Sequence, residues 1–175
     1  MRLSQLISRR KGGASPGIHE FLASANAHIE QRRPLAEILS CLHAARFPVC
    51  NYFCQRLGDS IAAKAFTLKI LNLLLAKYHF QVRSTVLLSR PFGLVVDPSN
   101  GCNLACPGCV HSTSVKMLHL FDWDNGILSE DRFRALLDRY GAYALQIMLC
   151  NYGEPTTNLN TPKYVAMAKK YLIQT

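Results

Sequence analysis

The chain has 175 residues, 49% hydrophobic and 18% charged, enough to bury a sizeable core and a composition that excludes a disordered protein. Seven cysteines, an odd number, and no h-region between Met1 and Arg10 exclude an exported disulfide scaffold; they point to thiols serving metals in a reducing, cytoplasmic setting. The net charge of +9 is lopsided, with 13 Lys/Arg against 5 Asp/Glu in residues 1–101 and 7 against 6 in residues 102–175.

Residues 1–17 are basic and then rich in breakers, with Arg9-Arg10-Lys11-Gly12-Gly13 followed by Ser15-Pro16-Gly17, and read as a flexible tail. No aromatic residue precedes Phe21, so the charge lacks the stacking groups of a nucleic-acid arm, and nucleic acid is not an expected partner. Ile18, Phe21, Leu22, Ala25 and Ile29 follow helical spacing and predict a helix from Ile18 to about Arg33. Pro34 should end it and open a second helix from Leu35 to Arg46, which Pro48 should break. A short third helix is expected over Asn51 to Leu57 before Gly58, then a long fourth to about Phe80, capped by Asp59 or Ser60. That last segment carries Lys64, Lys69, Asn72 and Lys77, which make it a poor membrane span. Its apolar run and the basic charge around it would instead suit peripheral contact with an anionic membrane surface.

Cys41, Cys50 and Cys54 fall in this helical region without a compact third and fourth ligand, and they read as packed thiols rather than a second cluster. His19, His28, His43 and His79 are scattered and read as structural or surface residues. Gln81 to Arg90, with Val82, Thr85, Val86, Leu87 and Leu88, predicts a strand or an extended approach to the next element. Phe92 to Val96 predicts a parallel strand covered on both faces, ended by Asp97-Pro98-Ser99-Asn100-Gly101. Further on, Ser129 should cap a helix with the stripe Phe133, Leu136, Leu137 and Tyr140, ended by Gly141. A second strand is expected over Ala144 to Cys150, and a helix capped by Thr161 and opened by Pro162 towards Leu172.

Cys102, Cys106 and Cys109 stand at the carboxyl end of the first predicted strand, spaced by three and then two residues. Thiolates this close can share an iron–sulfur cluster, a zinc ion or cuprous copper. A cubane cluster held by only three cysteines keeps one iron open to an outside ligand. Asn100-Gly101 and Pro107-Gly108 let such a loop curl around a bulky centre.

This spacing, the strand before it and the later Tyr152-Gly153-Glu154-Pro155 resemble the start of a radical S-adenosylmethionine (radical SAM) enzyme, over roughly Pro91 to Thr175. The resemblance implies that Cys102, Cys106 and Cys109 hold a [4Fe–4S] cluster. The methionine end of SAM would chelate the fourth iron, and reductive cleavage would yield a 5′-deoxyadenosyl radical acting on an unidentified substrate. It further implies an electron donor such as ferredoxin or flavodoxin, and SAM contacts at Gly108, Tyr152, Gly153 and Glu154. The sequence departs from the family pattern at two of these: Gly108 replaces a larger residue that covers the adenine, and Tyr152 replaces the first of two glycines before the glutamate.

The expected fold class is therefore α/β, an incomplete radical SAM-type (β/α) partial barrel over residues 91–175 preceded by a helical region over residues 18–90. Two βα units are fewer than the family's barrel contains, so the chain is expected to be a fragment not fully active alone. The rival reading joins His111 to the three cysteines as a Cys₃His zinc site, making the chain a structural or interaction module that could touch nucleic acid.

Overall fold

A computed structural model describes residues 16–104, 106–111 and 126–175. Most of the expected tail thus lies outside the described residues. The chain is mixed but mostly helical, and divides into two units at Arg90 and Pro91.

Among the described residues, the first unit packs three helices: α1 (Pro16–Glu30), α2 (Leu35–Leu57) and α3 (Ser60–Gln81). Ile18, Leu22, Ala25 and Ile29 of α1 recur every three or four residues and are buried against Ile38, Leu42, Ala45, Val49 and Tyr52 of α2 and Ile70, Leu74 and Tyr78 of α3. Each such aliphatic side chain, fully buried, contributes about 1.5–3 kcal/mol. The α2–α3 corner is built by local chemistry. Gly58 closes α2 in a left-handed conformation, and the Asp59 carboxylate accepts the N–H groups of Ile61 (2.8 Å) and Ala62 (3.3 Å) to start α3.

The expected break at Pro48 does not occur, and α2 runs through it as one helix of 23 residues, absorbing the separate helix foreseen over Asn51 to Leu57. Its buried stripe continues across the proline from Ala45 to Val49 and Tyr52, while Ala44 and Pro48 lie on the exposed face. Water can therefore reach the carbonyl that the proline leaves without its helical donor, and packing on the opposite face outweighs the remaining cost. Pro48→Ala should raise the unit's stability by about 1–3 kcal/mol. The readout is a higher denaturation midpoint at unchanged m-value; an unchanged midpoint would refute the cost.

Gln81 to Arg90 forms no strand. It is held instead by two side chains of α3: Asn72 accepts the Arg90 N–H (2.8 Å) and donates to the Arg90 carbonyl (3.0 Å), and His79 Nε2 accepts the Leu88 N–H (3.2 Å). Val86, Leu87 and Leu88 stay exposed, so the β-branched run has no sheet to join.

Lys69 of α3 is fully buried, and desolvation pulls its amine from 10.5 down to about 8. With the folded value below the unfolded one, the unfolded chain holds more protons between these limits and stability rises with pH across them. Lys69→Met should remove that rise. The wild type, compared with the variant, should gain up to about 3 kcal/mol between pH 8 and 10.5; parallel pH profiles would refute the assignment.

In the second unit β1 (Gly93–Val95) pairs in parallel with β2 (Gln146–Met148), in the register Gly93↔Gln146, Leu94↔Ile147, Val95↔Met148. Both are shorter than expected, although Leu145 N–H to the Phe92 carbonyl and Val96 N–H to the Met148 carbonyl extend the ladder at each end. Beyond β2, Gln174 adds a single parallel bridge to Gln146. Helix α4 (Glu130–Tyr140), between the strands, starts at a Ser129 hydroxyl that accepts the Arg132 N–H. Helix α5 (Thr161–Lys170) follows a short 3₁₀ turn, Pro155–Thr157. Asn160 rather than Thr161 is its cap residue, without a side-chain cap bond; Thr161 is the first helical residue, and its hydroxyl donates to the Pro155 carbonyl (2.6 Å).

Phe133 and Leu137 of α4, Tyr164 and Ala168 of α5, and Ala144, Ile147 and Ile173 form one core, with the Phe133 and Tyr164 rings stacked at 4.5 Å. The sheet faces this core on one side only. Gly93 and Val95 are exposed and Leu94 is half-buried, which corrects the expectation of a strand covered on both faces. No helix among the described residues is long and apolar enough to cross a membrane.

Candidate functional site

Parallel pairing delivers the loops after β1 and β2 to the same edge of the sheet, the carboxyl edge. The first runs from Asp97 to the cysteines, the second from Cys150 to Asn158. Their backbones are bound directly together. The Asp97 carboxylate accepts the N–H groups of Asn151 (2.7 Å) and Tyr152 (3.2 Å), capping the end of β2. The Gly101 carbonyl accepts the Glu154 N–H (3.0 Å), and the Pro98 carbonyl accepts the amide of buried Asn158 (2.8 Å). His111 Nε2 lies 3.0 Å from the Tyr152 carbonyl; a carbonyl only accepts, so this nitrogen carries the proton.

Gly153 sits at the closest point. A Cβ built there would lie 1.7 Å from the Ser99 carbonyl oxygen and 2.6 Å from its carbon, so no other residue fits without moving the backbone. Ser99, itself buried, turns its hydroxyl to the Gly101 N–H (3.0 Å) and shapes the entry to Cys102. Glu154 does not project a free carboxylate. Its Oε1 accepts the N–H (3.1 Å) and the hydroxyl (2.7 Å) of Thr156, and these bonds hold the carboxyl below its usual range. What this segment offers a ligand is therefore mainly backbone. Tyr152 is exposed at its outer end.

All three loop cysteines are free thiols, Cys106 exposed and Cys102 and Cys109 half-buried. Cys102 sulfur accepts the Leu104 N–H at 3.4 Å. Cys106 and Cys109 stand at the two ends of one tight turn closed by the Cys109 N–H to the Cys106 carbonyl (3.1 Å). Pro107 and Gly108 occupy its middle, and Gly108 takes φ +76°, the conformation that a proline–glycine turn requires at its second central residue. Open space surrounds the Gly108 Cα, so backbone conformation rather than crowding selects the glycine.

Among the described residues no three His, Cys, Asp or Glu side chains are gathered closely enough to hold one metal ion. The turn pairs Cys106 with Cys109, whereas Cys102 lies at the loop's entry. The chemistry of the donor set, three free thiols on one eight-residue loop, is of the kind iron–sulfur clusters take. With its Nε2 on the Tyr152 carbonyl, His111 could reach a metal only through Nδ1. Cys150, expected as a packed strand thiol, is exposed because β2 ends at Met148.

Sequence reasoning missed Asp97 and Asn158, whose partners lie 54 and 60 residues away, and it read Asp97 only as a strand terminator. The Asp-Pro and Asn-rich loops were the available signal, but they name a turn and not a partner. No protein-family model, curated protein or solved structure matches this chain.

Proposed function

We propose that residues 91–175 form the cofactor end of a radical SAM enzyme, which would use a [4Fe–4S] cluster to cleave S-adenosylmethionine reductively and act through the resulting 5′-deoxyadenosyl radical. One observation carries this reading: the three-thiol loop leaves the carboxyl end of β1 and is bonded, backbone to backbone, to the Gly153-Glu154 segment leaving the same end of β2. The order β1, β2, Gln174, each linked to the next by a helix and all in parallel, supports these units as the first of a (β/α) barrel.

Cys102, Cys106 and Cys109 would hold three irons. The chemistry supplied by the bound cluster is one-electron reduction, with ferredoxin or flavodoxin as the donor class. Gly108, Tyr152, Gly153 and Glu154 would orient SAM, chiefly through main-chain groups, since the Glu154 carboxylate is committed to Thr156. Asp97 and His111 would keep that main chain in place from the cysteine side.

The test is anaerobic reconstitution with iron and sulfide, reduction, and EPR with and without SAM. A [4Fe–4S]⁺ signal that changes on adding SAM and is lost in Cys102→Ala, Cys106→Ala and Cys109→Ala is expected. Stoichiometric zinc with no cluster, abolished by His111→Ala, would replace this reading with the zinc module.

A further inference from the structure

The helical unit carries a second thiol pair. Cys50 and Cys54 are one turn apart on α2 and both half-buried. Side chains four residues apart share one helix face, with Cβ atoms about 5–6 Å apart. Neither thiol is in a disulfide, and partial exposure leaves the pair open to a small solute.

We infer that Cys50 and Cys54 form a two-coordinate site for one soft monovalent cation of the Cu(I) class. Two thiolates select a soft ion. With metal–sulfur bonds of about 2.3 Å, sulfurs up to about 4.6 Å apart can share it in a linear arrangement. No third His, Cys, Asp or Glu is gathered there among the described residues, so the four ligands that zinc prefers are not assembled. Binding is a proton exchange without change of oxidation state: Cu⁺ and two thiols give a bis-thiolate complex of charge −1 and two protons. Burial and then the neighbouring Cys50 hold the Cys54 thiol above its usual range, with Lys64 opposing them and Asp59 adding to them, so the ion has to displace a firmly held proton. Because both protons leave, affinity rises with pH.

The experiment uses the full chain carrying Cys102→Ser, Cys106→Ser and Cys109→Ser, reduced and anaerobic, so that the other thiol loop cannot compete. Cu(I) is supplied as its complex with a colorimetric chelator. The chain should withdraw one Cu(I), with X-ray absorption showing two sulfur neighbours. Cys50→Ser and Cys54→Ser, each added singly and checked for unchanged helicity, should lose the withdrawal, while Cys41→Ser should keep it. Retention of the ion in both single variants, no withdrawal by the parent, or more than two sulfur or nitrogen neighbours would overturn the site. None of these outcomes bears on the reading of the loop from Cys102 to Cys109.

Discussion

Gly153→Ala should cost the carboxyl-terminal unit about 3 kcal/mol or more, because a methyl group 1.7 Å from the Ser99 carbonyl oxygen forces two backbones apart. Domains of this size have only about 5–15 kcal/mol in total, so a large share of the stability is at stake. The strand-end loops would part, and with them the Glu154–Gly101 hydrogen bond. Gly108→Ala is the informative contrast. Its site has room for the methyl group but requires φ +76°, so the expected cost is only about 1–2 kcal/mol. Chemical denaturation of both variants decides it; equal losses would mean that crowding at Gly153 is relieved by a small backbone shift.

Asn158→Ala should cost about 2–4 kcal/mol, the second large effect. The side chain is 2% exposed; its amide donates to the carbonyls of Pro98 (2.8 Å) and Leu128 (3.1 Å), and its oxygen accepts the Asn160 N–H (2.9 Å). It thus joins the entry to the cysteine loop, the segment leading into α4 and the start of α5 in one polar knot. Removing it strands buried polar groups rather than merely deleting a contact. Asn158→Asp should be no milder, since a carboxylate would face two carbonyl oxygens where the amide now donates. Denaturation midpoints at neutral pH test both; a wild-type midpoint in either variant would contradict the role assigned to the amide.

Much of the fold was legible where neighbours in sequence carry the signal. The stripe from Ile18 to Ile29, a cap at Asp59 or Ser60, the helix stop at Gly58, the Ser129 cap and the stripe Phe133–Leu137 each depend on residues within a few turns of one another. The strands at Gly93–Val95 and Gln146–Met148 were found but drawn too long, since β-propensity marks apolar runs and not which of their residues meet a partner. Pro48 misled because a local rule of helix breaking was applied where a continuous buried face decides.

The sequence by itself determined the positions of α1, α3 and α4, the cap at Ser129, the order of the two strands and the spacing of Cys102, Cys106 and Cys109, because short-range sterics and side-chain periodicity act within a few residues. Only the tertiary structure decided that Asp97 caps Asn151 and Tyr152, that His111 turns to the Tyr152 carbonyl, and that Gly153 must be glycine. Those choices arise from strand ends more than 40 residues apart coming into contact, where satisfying buried polar groups and avoiding overlap select partners that no local pattern encodes.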